Sequence, residues 1–281
     1  MAARFIDAHT HVQFAVYDGE RKEVITRAQR AGVFMVNVGT QKDTSRLAVE
    51  MAREYPEGIY AAVGLHPIHA ESSRRDEQEL RDISGDDPLD AAEKFDEDYY
   101  ETLARDPKVV AIGECGLDYY HLGEETRAKQ KEVFEAQINL AHKLKKPLMI
   151  HCRDAFADLV DILVLNHAAL PAANVAHSFA RTVDEAKKLL DLGFYFTFAG
   201  NITYKPRADK PAADEVIKFI PSDRLLSETD APYLAPAPYR GKRNEPAYVV
   251  EVVKKMAEIK GVSPEEMKEQ IWHNAKKVFL I

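Results

Sequence analysis

Six side chains of divalent-cation-binding types sit in short, strand-like stretches of this sequence: His9 and His11 in RFIDAHTH, Glu114 in GECGLDYY, His151 in IHCRDA, His177 in AHSF and Asp230 in ETDAPYL. Neutral imidazole suits zinc, iron and nickel, while carboxylate oxygens extend the range to magnesium and manganese. Residues two apart on a strand share a face, so His9 and His11 point the same way, with Asp7 beside them. A solitary His-x-His is more often a hydrogen-bonded core pair than a metal site. The further acids and imidazoles reverse that preference. Two divalent cations close together repel, and a carboxylate between them lowers that cost. Glu114, held between Gly113 and Gly116, is the natural bridge of a binuclear centre, with His9, His11 and Asp230 completing one metal and His151 and His177 the other. Open positions would hold a water acidic enough to act as a nucleophile at neutral pH.

The elements that must carry these residues alternate along the chain. Apolar β-branched or aromatic runs predict eight strands: 4–11, 34–40, 59–66, 109–117, 148–152, 174–179, 194–199 and 225–228. Segments of helical period lie between and after them, at 19–31, 44–55, 98–105, 124–145, 156–166, 183–192, 211–219, 246–260 and 264–278. Strand and helix in alternation imply a parallel sheet. Eight units in 281 residues, with no G-x-G-x-x-G turn after any strand, favour an α/β fold of the (β/α)8 TIM-barrel type over a doubly wound sheet. Neither a linker nor an internal repeat is evident, so residues 1–281 are expected to form a single domain. In such a barrel the chemistry sits at the carboxyl ends of the strands, and the six candidate ligands fall at the ends of five of them.

A hydrophobic share of 46% is ample for a core, and no apolar run is long enough to span a bilayer. The start MAARFIDAHTH lacks the pattern of a secretory signal, and two cysteines are few for a secreted chain, so the expected location is cytoplasmic. Cys115 and Cys152 alternate away from the ligand face and are expected to be packed thiols. The net charge of −8 is localised: residues 70–98 hold 12 Asp and Glu against 4 Lys and Arg, an acidic excursion expected to be a solvated helical segment. His69, His142, His167 and His273 lie in loop or helical stretches and are expected at the surface or at helix caps. Trp272, with Ile271 and Phe279 on the last helix, is expected to anchor packing.

In order along nearly the whole chain, FIDAHTH, GLHP (64–67), GECGLDYY, IHCRDA, AHSF, ETDAPYL, RGKRNEPAYV (240–249) and NAKKVF (274–279) resemble the TatD-like metal-dependent deoxyribonucleases, a branch of the amidohydrolase-type barrels. Many related amidohydrolases carry a carboxylated lysine at the bridging position, and Glu114 favours the TatD type. Two departures stand out, an acidic stretch between His66 and Val109 longer than is usual in the family and an AHSF segment without the pattern that often follows that histidine.

The resemblance implies hydrolysis of DNA phosphodiesters from a 3′ end, as in DNA repair, by a 3′-5′ exodeoxyribonuclease with two divalent ions, Mg, Mn or Zn. Single-stranded DNA or a 3′ end is then the expected substrate partner. Asp230 would be metal ligand and proton acceptor together, and Glu114 would share the catalytic role. His66, Arg153, Lys205 and Arg240 are the leading substrate-binding candidates, joined by Arg207, Lys242 and Arg243 as cations in or near loops after strands. Tyr119, Tyr120, Tyr233 and Tyr239 have the chemistry to stack on bases. Asp7 is expected to orient a ligating histidine from behind. The same metal chemistry would also serve a hydrolase of small esters, amides or lactones, against which RGKRNEP argues, or persist in a binding protein without turnover, against which the intact ligand set argues. Metal identity, DNA against RNA, exonuclease against repair of damaged sites, and monomer against dimer are left open by the sequence, and a monomer is compatible with it.

Overall fold

A computed structural model describes residues 4–70, 79, 93–205 and 213–281. Its eight strands are β1 (Phe5–Thr10), β2 (Val33–Val38), β3 (Ile59–Val63), β4 (Val109–Asp118), β5 (Leu148–Arg153), β6 (Asn174–Ala176), β7 (Phe194–Phe198) and β8 (Leu225–Ser227). They follow one another in a single sheet in the order β1 to β8. The nine described α-helices are α1 (Arg21–Arg30), α2 (Lys42–Arg53), α3 (Glu97–Ala104), α4 (Arg127–Leu144), α5 (Phe156–Leu165), α6 (Val183–Asp191), α7 (Ala213–Phe219), α8 (Val249–Lys260) and α9 (Pro264–Phe279). This is the (β/α)8 barrel that the alternation predicts. The strands are buried along most of their length, which is why they read as continuous apolar runs rather than as alternating ones.

The chain divides into two compact units. The first comprises Met1–Val12, Glu20–Val36 and Val175–Ile281. In it β8 runs beside β1, tied by Ser227 Oγ to Ile6 O (2.6 Å), Asp230 N to His9 O (2.9 Å) and His11 N to Ala231 O (2.9 Å). Here α9 starts with a reciprocal cap: Ser263 Oγ accepts from Glu266 N, Glu266 Oε2 accepts from Ser263 N, and Pro264 fills the first helical position. Trp272 of α9 packs edge-on against Phe34 at 5.2 Å between ring centroids, the anchoring role expected of it.

The second unit comprises Gln13–Gly19 and Asn37–Asn174. It contains the parallel ladder β3–β4–β5, whose register breaks between Ile112 and Cys115: three steps along β4 match two along β5. The extra residue is a β-bulge centred on Gly113 and Glu114. From α4, Gln130 and Gln137 lie seven apart on one helical face and turn inward. Each pairs its amide with one residue's backbone, Gln130 with the N–H and C=O of Asp118, Gln137 with those of Leu65. One helix thus fixes the carboxyl end of β4 and the segment after β3. The acidic excursion falls largely outside the described residues; of its members, Ala70, Glu79 and residues 93–98 are described. Among the described residues no helix is long and apolar enough to cross a membrane.

Candidate metal centre

In the first unit, the backbone pairing of β1 with the segment after β8 sets His9, His11 and Asp230 together. The Nε2 atoms of His9 and His11 are 3.1 Å apart, and Asp230 Oδ1 stands 3.5 Å from the second and 3.9 Å from the first. Both imidazoles are buried, while the Asp230 carboxylate keeps a window to solvent at 16% exposure. Burial pushes the Asp230 carboxyl upward, but the His11 hydrogen bond and the charges of His9 and His177 outweigh it, so the group lies below its ordinary value. Asp230 adopts a left-handed backbone at φ 54°, a conformation that costs a non-glycine residue energy and is met at functional sites. The surroundings over-determine it. Asp7 accepts hydrogen bonds from Thr229 N (2.7 Å) and Thr229 Oγ1 (2.5 Å), and Asn244 Nδ2 donates to Thr229 O (2.9 Å) and Tyr233 O (2.6 Å). Asp7 therefore steadies the segment bearing Asp230, and its carboxylate also accepts a hydrogen bond from the backbone of His9.

In the second unit, His66, Glu114 and His151 converge: His66 Nε2 and His151 Nδ1 lie 3.2 and 3.0 Å from Glu114 Oε1. The bulge in β4 turns Glu114 to this place. Proton placement differs between the two rings. Ile68 N–H donates to His66 Nδ1 (3.1 Å), so the neutral ring carries its proton on Nε2 and offers it to Glu114. Burial drives His66 down to about 4, which keeps it neutral at pH 7. His151 instead directs Nε2 at Asp118 Oδ2 (3.0 Å), a fully buried acid that also accepts from His121 Nδ1 (2.8 Å) and from the backbone N–H groups of Tyr120 and His121. Burial raises the Asp118 carboxyl, yet His151 and His121 more than offset it and hold it far below the usual carboxylate range. With Nε2–H committed to Asp118, the lone-pair edge of a neutral His151 faces a carboxylate oxygen, a contact that a cation reconciles.

These donor sets suit a divalent metal. His9, His11 and Asp230 offer two nitrogens and an oxygen at one place, and Glu114 with His151 Nδ1 offers an oxygen and a nitrogen at the other, while His66 as held is a proton donor. Asp118, within the GECGLDYY motif, has its role revealed by its buried bond to His151. Asp118→Asn is expected to weaken ion binding at the Glu114 and His151 donors by about 10- to 100-fold, measured by titration of the chelator-stripped protein.

Sequence order groups His177 with His151, but the described contacts of His177 lie in the first unit. Its ring stacks on His9 at 4.0 Å and 13°, and its Nδ1 is 3.6 Å from Glu228 Oε1. Of the cations, Arg153 is exposed with its guanidinium 3.8 Å from the centroid of the Tyr120 ring, and Arg240 is exposed over Tyr204 at 4.4 Å. Lys205 and Lys242 are exposed, whereas Arg243 is ion-paired with Glu20 at 2.5 Å; Arg207 lies outside the described residues. The RGKR run thus splits into outward cations and a structural one. Of the histidines expected at the surface, His142, His167 and His273 are exposed. His69 is a correction: it is buried, with Nε2 3.1 Å from Glu79 Oε2, because the acid that meets it comes from the acidic stretch. Cys115 is fully buried with Sγ toward Met149 O, and burial raises its thiol.

Residues 6–280 match the profile of the TatD related DNases. The chain is 41% identical over 276 residues to an uncharacterized metal-dependent hydrolase, YabD, of Bacillus subtilis, covering 98% of each protein. It is 35% identical over 280 residues to the 3′-5′ ssDNA/RNA exonuclease TatD of Cronobacter sakazakii, covering 98% of this chain and 97% of the relative. The crystal structure of YjjV, a TatD homologue from Escherichia coli, superposes with a TM-score of 0.81 at 27% identity, covering 100% of both chains. With its acid and imidazole sets at the strand ends and a family match over almost its full length, the chain belongs to the TatD family and is a metal-dependent hydrolase of that type.

Proposed function

We propose that this chain hydrolyses nucleic-acid phosphodiesters, releasing nucleotides from the 3′ end of single-stranded DNA, with two divalent ions held by the two donor sets. The observation that carries the reading is the pair of sets itself, His9, His11 and Asp230 in one unit and Glu114 with His151 in the other. The relative from Cronobacter sakazakii, named a 3′-5′ ssDNA/RNA exonuclease, supports the substrate class and the direction. Bound divalent ions would supply Lewis-acid charge at the phosphoryl oxygens and bring a water into the nucleophilic range near neutral pH.

The side chains have complementary tasks. Asp230, kept ionised by its imidazole neighbours, accepts the proton of the attacking water on a carboxylate oxygen. His66, neutral with its proton on Nε2, donates a hydrogen bond to a non-bridging phosphoryl oxygen. Arg153 and Arg240, exposed and backed by tyrosine rings, meet flanking phosphates, with Lys205 as a further cation.

Chelator-stripped protein given a 5′-labelled single-stranded DNA is expected to leave it intact. Addition of Mg, Mn or Zn is expected to produce a ladder shortened from the 3′ end. Hydrolysis that survives chelation, or small esters and lactones turned over while DNA and RNA stay whole, would sink the proposal.

A further inference from the structure

Glu228 follows β8 directly and is fully buried. Neither of its carboxylate oxygens makes a hydrogen bond among the described residues. A charge taken out of water without partners is costly, and native proteins keep such a group only where something compensates it. Its neighbours narrow the choice. The buried acid Asp7 is close enough to feel the Glu228 charge, and His177 presents Nδ1 at 3.6 Å from Glu228 Oε1. On its other side, His177 lies close enough to Asp230 to stabilise that carboxylate and stacks on the ring of His9.

We infer that Glu228 is a positioning residue for His177: its carboxylate accepts the Nδ1–H and so fixes the tautomer that leaves Nε2 as the ring's ligand atom. The inference rests on the reading that the buried imidazoles hold divalent ions. The separation of 3.6 Å lies just beyond a hydrogen bond, and a ring carrying its proton on Nδ1 is drawn to close it. His9, His177 and Glu228 do not serve better as a separate ion site. His9 Nε2 already faces His11 and Asp230, so an ion beside Glu228 would compete with that set for His9. Asp118 does for His151 what Glu228 does for His177: each is a fully buried acid against the ring nitrogen that is not needed for metal.

The test uses the full chain, stripped with chelator and titrated with Zn or Co against a chromophoric competitor. Glu228→Gln is expected to lower ion affinity by about 10- to 100-fold, while the metal-free variant keeps the wild-type fold by circular dichroism. In the zinc-loaded wild type, long-range proton–nitrogen spectra are expected to show His177 protonated on Nδ1. Affinity within twofold of wild type, or a bare Nδ1 in the loaded wild type, overturns the inference alone. A wild type that binds no ion overturns the proposed function with it. Should Glu228→Gln fail to fold, Glu228→Asp, which keeps the charge but withdraws it by one methylene, is read by the same affinity and spectra.

Discussion

Asp230→Asn and Glu114→Gln are each expected to release nucleotides from single-stranded DNA on the order of 10³-fold more slowly than wild type, with circular dichroism and melting behaviour preserved. Both changes are nearly isosteric and both remove one negative charge. Asp230 sits in a cluster of three imidazoles, so its charge is the electrostatic partner of that site; an amide leaves neutral nitrogens without a counter-anion for a cation. The amide also cannot accept the proton of the attacking water. Glu114 receives His66 Nε2 and faces His151 Nδ1 on one oxygen, and Gln in its place offers an acceptor without charge. The fold is expected to tolerate the exchange, since removing one carboxylate from a site with little water relieves desolvation. Rates within tenfold of wild type for either folded variant would show that the chemistry lies elsewhere in the chain.

The barrel is readable because buried parallel strands announce themselves as short apolar runs, and all eight predicted runs overlap an observed strand. Where the runs end, their last polar residues supply His9, His11, Glu114, His151 and Asp230 as a set of one chemical kind. Less is visible in the partners of buried polar groups, which come from far along the chain. Asp7 meets Thr229, 222 residues away, and His151 meets Asp118, 33 residues away, so no local pattern can say that the first steadies a loop and the second a ring. The burial of His69 escapes a sequence reading for the same reason, its acid being Glu79 in a segment whose composition suggests only a solvated helix. The basic run at 240–243 shows the limit of counting charges, because Arg243 answers to Glu20 rather than to solvent. Alternation also fails locally at the bulge, where Glu114 is turned by the one residue that β4 has in excess of β5.

Just past that bulge, Gly116 is a position outside the ligands where β4 and β5 approach closely. Gly116→Ala is expected to destabilise the protein by about 4 kcal/mol and to weaken ion binding at Glu114 and His151 along with it. Two effects act together. A Cβ at this residue would stand 2.0 Å from His151 O, a backbone atom that cannot rotate away, so β4 and β5 would have to separate where Gly116 pairs with His151. The residue also holds φ at +131°, which side chains rarely adopt, so the substitution is strained even before the clash. Separation at this point moves His151 away from Glu114 on one side and from Asp118 on the other, the two contacts of 3.0 Å that define its orientation. Gly241, also at positive φ but with open space for 4 Å around the place a Cβ would take, is the matched control: Gly241→Ala is expected to cost only about 1 kcal/mol and to leave ion affinity unchanged. Denaturant melts and ion titrations on the two variants separate the contributions. Equal losses at both positions would mean that backbone conformation alone, and not the close approach of β4 to β5, governs the site.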